Sequence, residues 1–312
     1  MRPALARLPL VGFALIAMVA VVAVVAVAGP AFASEAGGDG SLSLAMAVLL
    51  GAVQGATEFL PVSSSGHLAL AQAWLGVDPE VAGHRFSIVL HGGTLLAVLW
   101  LYREDVRALA RVVLRPMDDS PERGMLLAMV VATLPLGLVL LPGVEPAIVA
   151  VEQSPRLVGC MLLATAAILM VSFRSSSPVP DEPDKTPPSL PRAIGIGLAQ
   201  LMAVLPGISR SGSTIAAGLA LQLDREQAAR FSFLISIPAI AGATVREIAK
   251  VASGPGLESI PWLAYGAGFA ASLLVGLVCL RWLLRLVRRG QIVGFVVYLG
   301  VLGVIAIAVG SV

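Results

Sequence analysis

Four ionisable side chains stand in apolar stretches of this sequence: Glu58, His67, His91 and Arg210. A charge at the centre of a membrane helix costs on the order of 2.5–3.5 kcal/mol by insertion scales, so such groups line a cavity or do chemistry. Gln54 and Glu58 are four residues apart and share one helix face. Their helix runs into Pro61, and Ser63-Ser64-Ser65-Gly66-His67 follows. Serine hydroxyls and the unpaired N–H groups of a helix start can surround an anion. His67 is the group of that turn able to exchange a proton near neutral pH. A second cluster, Ser209-Arg210-Ser211-Gly212-Ser213-Thr214, sets a guanidinium among hydroxyls. Its rigid fork of donors matches phosphate oxygens. One carboxylate, one imidazole, one guanidinium and many hydroxyls suit a phosphate ester or anhydride. His91, in Leu90-His91-Gly92-Gly93-Thr94, fits either packing or function, and His84 reads as solvated. No P-loop, G-x-S-x-G, H-E-x-x-H or nucleotide-binding pattern is present.

The elements that must hold these residues are membrane helices. Of 312 residues, 57% are apolar and 13% charged, with a mean hydropathy of +0.91. Soluble domains carry about 25% charged residues. The deficit excludes a cytosolic globule, a disordered chain and a nucleic-acid binder. Cys160 and Cys279 both lie in apolar runs, which argues against a disulfide framework or structural zinc. Apolar segments cover 42–60, 62–76, 86–102, 124–143, 156–173, 193–205, 211–222, 231–248, 262–280 and 291–311. Arginine and lysine concentrate in 103–123, 174–192 and 281–289, which places these loops inside the cell. Arg2 and Arg7 precede an apolar run from Leu8 to Ala28 and an A-x-A site ending at Ala33. This is a signal peptide or an uncleaved extra helix, and both leave the chain outside near Ser34.

Parity narrows the topology. Between an outside residue 41 and an inside residue 103 an odd number of crossings is needed; three spans would also satisfy this, but 62–76 is short and polar at its start, so 42–76 reads as a re-entrant hairpin and 86–102 as a span. The same reasoning makes 193–222 a second hairpin, entering from the cytoplasm. The expectation is an all-α polytopic membrane protein with six full spans and two opposed re-entrant hairpins.

The hairpins repeat in sequence. Leu60-Pro61 and Ser63-x-Ser65-Gly66 recur as Leu205-Pro206 and Ser209-x-Ser211-Gly212, and Arg85-Phe86-Ser87 recurs as Arg230-Phe231-Ser232. The offset is 145 or 146 residues (85 to 230, 63 to 209), and Gln54 and Gln200 share it. Because the halves start on opposite sides, this is an inverted-topology repeat, which builds its site from broken helices at the repeat interface. The domains are then 1–40 as leader and linker, 41–173 as first repeat, 174–192 as a proline-rich cytoplasmic linker, and 193–312 as second repeat.

Gln54-Gly-Ala-Thr-Glu58-Phe-Leu-Pro-Val-Ser-Ser-Ser-Gly-His67 and Pro206-Gly-Ile-Ser-Arg-Ser-Gly-Ser-Thr214 closely resemble the two signature motifs of the undecaprenyl-diphosphate phosphatase family, also called bacitracin-resistance proteins. The resemblance covers about residues 42–312. It implies hydrolysis of undecaprenyl diphosphate to the monophosphate and inorganic phosphate, recycling of the wall-polymer lipid carrier, and bacitracin tolerance. It implies a multi-pass protein of a bacterial plasma membrane, with the site facing the extracytoplasmic side. The implied catalytic set is Glu58, Ser64, His67 and Arg210; the phosphate-binding set is Ser63, Ser65, Ser209, Arg210, Ser211 and Thr214. A divalent cation, Mg²⁺ or Ca²⁺, would sit on Glu58 and Gln54. The partners are the lipid substrate and the bilayer, with no nucleic acid, and a homodimer is compatible. Many members carry Glu where Gln54 stands, and Gln where His91 stands. Three attacks stay open: water activated by His67, Ser64 Oγ, or His67 itself. Inverted hairpins are also a transporter architecture, so a lipid-phosphate flippase is the competing class.

Overall fold

Helix ends in this chain follow from the residues that cap or break them. The computed structural model describes residues 42–75, 84–114, 120–174, 186–252 and 261–310. The signal-like segment within 1–40 and most of the 174–192 linker lie outside the described residues. Among these residues all regular structure is helical. Helix α1 (Leu44–Phe59) starts where Ser43 Oγ accepts from the Met46 N–H at 3.2 Å. It ends at Leu60, which Pro61 holds extended (φ −60°, ψ 144°). Helix α2 (Ser64–Leu75) completes the first hairpin, and α3 (His84–Leu101) follows. The chain then bends by 87° into α4 (Arg103–Leu114).

Helix α5 (Pro121–Thr133) continues as a 3-10 segment, Leu134–Leu140, where Pro135 has no N–H to offer the ladder. Short α6 (Val144–Glu152) and long α7 (Pro155–Arg174) close the first half. The second half comprises α8 (Leu190–Met202), α9 (Arg210–Ala220), α10 (Arg225–Ala252), α11 (Trp262–Arg288) and α12 (Val293–Val309). Asp224 starts α10 by accepting from the Glu226 and Gln227 N–H groups, both at 2.8 Å.

Pro121–Leu140, Pro155–Phe173, Arg225–Arg246 and Trp262–Arg288 are long and apolar enough to cross a membrane. The other two expected spans are α3, of 18 residues and bent at its end, and α12, of 17. The protein is therefore a polytopic helical membrane protein. The arms α1, α2, α8 and α9 have 16, 12, 13 and 11 residues. At 1.5 Å per residue even α1 reaches about 24 Å, short of a hydrocarbon core of about 30 Å.

The structure corrects the sequence reading in two loops. Segment 103–123, read as a loop, contains α4 and the start of α5; residues 144–155, left between the apolar runs 124–143 and 156–173, contain α6. Helix α4 buries Leu109 and Val112 and turns Arg103, Arg107 and Arg111 outward. Helix α8 also begins at Leu190, three residues before the expected hairpin start at 193.

Ion pairs mark the two ends of α10. At its start, Arg230 grips Asp105 of α4 (Nε to Oδ1 3.0 Å) and Glu226 takes Arg288 of α11 at 2.6 Å. At the far end, Arg246 pairs with Glu145 of α6 at 2.5 Å. The arginine-rich stretches of α4 and α11 thus share one face of the protein.

Lipid tails are as apolar as leucine, so close packing and polar contacts hold such helices together. Helix α11 lies against α1 and α3, and small residues permit the approach. Gly51 sits directly on the Gly268 carbonyl; a Cβ at Gly55 would lie 2.6 Å from the Ser272 oxygen, and one at Gly93 2.7 Å from that of Phe269. Ser272 Oγ donates to the Leu90 carbonyl at 2.7 Å. In the other half, a Cβ at Gly197 would lie 2.5 Å from the Ala132 oxygen of α5. Gly51 and Gly197 are 146 positions apart (51 to 197) and do the same job. Helices α7 and α12 cross where Gly159 and Gly303 each face the other's carbonyl, at 2.7 and 2.9 Å from the added Cβ.

Candidate active site

The two hairpin turns interlock. Ser63 Oγ accepts from the Gly66 N–H at 3.3 Å in its own turn and from the Gly207 N–H at 3.1 Å in the other. Ser211 Oγ returns the contact by donating to the Leu60 carbonyl at 3.1 Å. Ser63 takes a left-handed conformation (φ 72°), which costs a non-glycine residue roughly 1–2 kcal/mol. The crossed bond to Gly207 helps hold that strain. Gly207 itself has φ 97°, and a Cβ there would lie 2.7 Å from the Val158 carbonyl oxygen. Beneath it, buried Thr165 of α7 donates to the Gly207 carbonyl at 2.9 Å and accepts from the Ser209 N–H at 3.1 Å.

This clasp brings the starts of α2 and α9 to one carboxylate. Arg210, first residue of α9, puts Nη2 2.5 Å from Glu58 Oε1. Ser64, first residue of α2, donates its hydroxyl to Glu58 Oε2 at 2.6 Å. Gln54, one turn earlier on α1, donates Nε2 to the same oxygen at 2.9 Å. Three of about four lone-pair directions on the carboxylate are taken. Two polar atoms nearby stay buried without a hydrogen-bond partner: Arg210 Nη1 and Gln54 Oε1. The Glu58–Arg210 pair is neutral overall. Both helix starts carry partial positive charge, equivalent to about half an elementary charge each. An anion with donors already aimed at it is what this place would stabilise.

The two histidines differ sharply. His67 is buried, its Nδ1 donating to the Ser63 carbonyl at 2.8 Å and its Nε2 accepting from the Tyr298 hydroxyl at 2.6 Å. Its ring stacks on that tyrosine with centroids 5.6 Å apart. Both ring nitrogens are engaged away from Glu58. His91, on α3, donates Nδ1 to the Ser87 carbonyl at 2.7 Å, and its Nε2 faces Glu58 Oε2 at 3.7 Å.

Of the expected set, then, Gln54, Glu58, Ser64 and Arg210 converge. Ser63, Ser209, Ser211 and Thr214 use their hydroxyls within the turns: Ser209 Oγ caps α9 by accepting from the Gly212 N–H at 3.1 Å, and Thr214 bonds the Arg210 carbonyl at 2.7 Å and Ser232 at 2.5 Å. Ser65 Oγ lies 3.3 Å from Ser63 Oγ. Thr165 and Tyr298 escaped the sequence reading. Tyr298 gave one signal, a lone hydroxyl in the otherwise apolar run Phe295–Ile305.

Among the described residues no three His, Cys, Asp or Glu side chains form a ready-made metal cage. Mg²⁺ does not need one: it binds through one or two carboxylates plus substrate phosphates and keeps several waters. The free direction on Glu58 and the orphaned Gln54 Oε1 supply two oxygen donors of the right kind.

A polytopic membrane protein with two interlocked hairpins around one buried acid–guanidinium pair is the class that fold and site define. The chain belongs to the family of the bacitracin resistance protein BacA, whose model matches residues 47–305. It is 38% identical over 279 residues to an undecaprenyl-diphosphatase of Methanobrevibacter smithii, covering 85% of this chain and 96% of that one. Similar proteins of the same name occur in Rubrobacter xylanophilus (39% identical, 82% of this chain and 94% of that one) and Bacteroides fragilis (37%, 85% and 97%).

Proposed function

We propose that the chain hydrolyses undecaprenyl diphosphate to undecaprenyl phosphate and inorganic phosphate, which recycles the lipid carrier and raises tolerance to bacitracin. The observation that carries this reading is the join across the hairpins: Glu58 held by Arg210 at 2.5 Å and by Ser64 at 2.6 Å, with Arg210 Nη1 buried and unpaired. Nη1 and the α9 N-terminus receive the terminal phosphoryl group and stabilise its developing charge. Ser64 Oγ attacks phosphorus while Glu58 takes its proton. The bridging P–O bond breaks and undecaprenyl phosphate leaves, its released oxygen taking that proton back from Glu58. Water then hydrolyses the phosphoserine, with Glu58 as base for that step. His67, tied to Ser63 and Tyr298, orients the serine turn.

Glu58 and Gln54 Oε1 would hold a divalent cation, which when bound supplies positive charge to the diphosphate. The re-entrant placement of both hairpins and access from the extracytoplasmic face of the plasma membrane belong to the same reading. A flippase would use Arg210 but has no need of a serine hydroxyl donated to a carboxylate, which favours hydrolysis. The test is phosphate release from undecaprenyl diphosphate by the purified, detergent-solubilised protein, with and without chelator. Release that chelator suppresses is expected. No release at any cation concentration, with lipid transport retained in vesicles, would establish the flippase instead.

A further inference from the structure

The chain leaves α3 and turns by 87° into α4, with one residue, Tyr102, between the two helices. Helix α3 is one of the expected spans, so α4 runs along the membrane surface, with no linker to carry it away. Trp100, 58% exposed in the last turn of α3, marks the level, because tryptophan favours the membrane–water interface. Arg103 Nη1 donates to its carbonyl at 3.4 Å. The sides of α4 then differ sharply. The inner side buries Leu109 and Val112, packs on α5 and ties Asp105 to Arg230 of α10 (Nε to Oδ1 3.0 Å). An outer row carries Arg103, Arg107 and Arg111, four residues apart and all exposed. Between them runs an apolar flank of half-buried Val106 and 63%-exposed Val113, with Leu114 80% exposed at the helix end. Among the described residues none of the three arginines has an acidic partner. Asp105 is already taken and Glu104 is exposed, so three arginines stand against one acid.

We infer that α4 is a docking surface for anionic phospholipid. Arg103, Arg107 and Arg111 hold headgroup phosphates through their forked donors, and Val106, Val113 and Leu114 rest on the acyl chains. A basic row beside an apolar flank is the pattern of a helix lying at the boundary of headgroups and chains. Arginine stems can cover apolar surface while their heads reach the phosphates. An acidic soluble protein would satisfy the arginines, but it would have to meet Val113 and Leu114 at the depth where Trp100 already sits in the interface. The inference goes beyond the general bias of arginine to one side of a membrane: it requires a preference for anionic over zwitterionic lipid, carried by three named side chains. None of them belongs to the hairpin site. The inference rests on the membrane fold and not on the phosphatase reading, so neither stands or falls with the other.

The experiment uses the purified full chain in detergent, with phosphatidylglycerol or phosphatidylcholine added, and measures bound lipid by native mass spectrometry. Phosphatidylglycerol should bind the more tightly. Arg107→Gln should weaken it by about fivefold, and the triple variant Arg103→Gln, Arg107→Gln, Arg111→Gln by on the order of a hundredfold, with phosphatidylcholine unchanged in both. A salt series on the wild type needs no substitution: rising ionic strength should erode the preference, because salt screens exposed charges. If the triple variant does not fold, the single variant and the salt series decide. Equal binding of the two lipids by the wild type overturns the inference, and is the result expected if an acidic protein or water covers this face. A preference that persists at high salt and in the arginine variants overturns it as well, by placing the lipid elsewhere. Displacement of the lipid by an equal concentration of inorganic phosphate would make the row a free-anion site instead.

Discussion

Replacing Arg210 by lysine keeps the positive charge and removes the fork. Arg210 Nη2 is committed to Glu58 Oε1 at 2.5 Å, while Nη1 is buried with no hydrogen-bond partner. A guanidinium serves acid and phosphoryl group at once from one rigid plane; an ammonium point charge has no such fixed division of donors. The variant should therefore lose one hydrogen bond to a charged group, worth about 1.5–3 kcal/mol. With 1.36 kcal/mol per factor of ten, kcat/KM for phosphate release should fall by about 10- to 150-fold. If the phosphoryl contact tightens toward the transition state, the fall appears in kcat and KM changes little. The assay is steady-state phosphate release from undecaprenyl diphosphate in detergent, alongside size-exclusion and thermal unfolding to show that the variant is folded. Arg210→Ala is the harsher comparison, because it leaves Glu58 buried without its counter-ion, a change worth about 3–5 kcal/mol. A lysine variant that is folded and within about threefold of wild-type kcat/KM would refute the two-partner role.

Ser64→Ala should reduce turnover by about a thousandfold or more while the protein stays folded, and phosphate release within tenfold of wild type would take the attack away from Ser64. Thr165→Val removes the hydroxyl that bridges the Gly207 carbonyl and the Ser209 N–H; leaving those buried groups unmatched should cost about 1–3 kcal/mol, read as a lower unfolding temperature in detergent. Tyr298→Phe strips the donor from His67 Nε2 and should destabilise by about 1–3 kcal/mol. A large loss of turnover without any change in unfolding would instead put His67 at the reacting centre.

Much of the architecture was legible because the membrane makes sequence literal. A run such as Trp262–Leu280 has no way to be satisfied except as a helix, since backbone polar groups in lipid must pair internally. Pro61 and Pro206 announced the hairpin turns, and the four-residue step from Gln54 to Glu58 announced a shared face. The helices read as loops failed for a physical reason: α4 and α6 are too short or too charged to register as apolar runs. The arginines at 103, 107 and 111 in fact repeat every four residues opposite Leu109 and Val112, which is a helical period. The site was legible in its residue types but not in its pairings. Nothing local says that His67 will face Tyr298, 231 positions away, or that His91 on α3 will come to Glu58. Those contacts depend on how closely glycines let three helices approach, and on which side of α11 each one falls.

The clasp between the two turns also divides the chemistry between two lengths of chain. The stretch up to Arg174 owns the acid and the hydroxyl; the stretch from Thr186 onward owns the guanidinium. Val204 stands where a second acid would be at the 146-residue offset from Glu58, and Ser64 stands where a second arginine would be. Severed between these stretches, neither fragment would hold a complete reaction centre, and pairing two copies of the same fragment would not restore one. Only reunion of the unlike fragments would rebuild it.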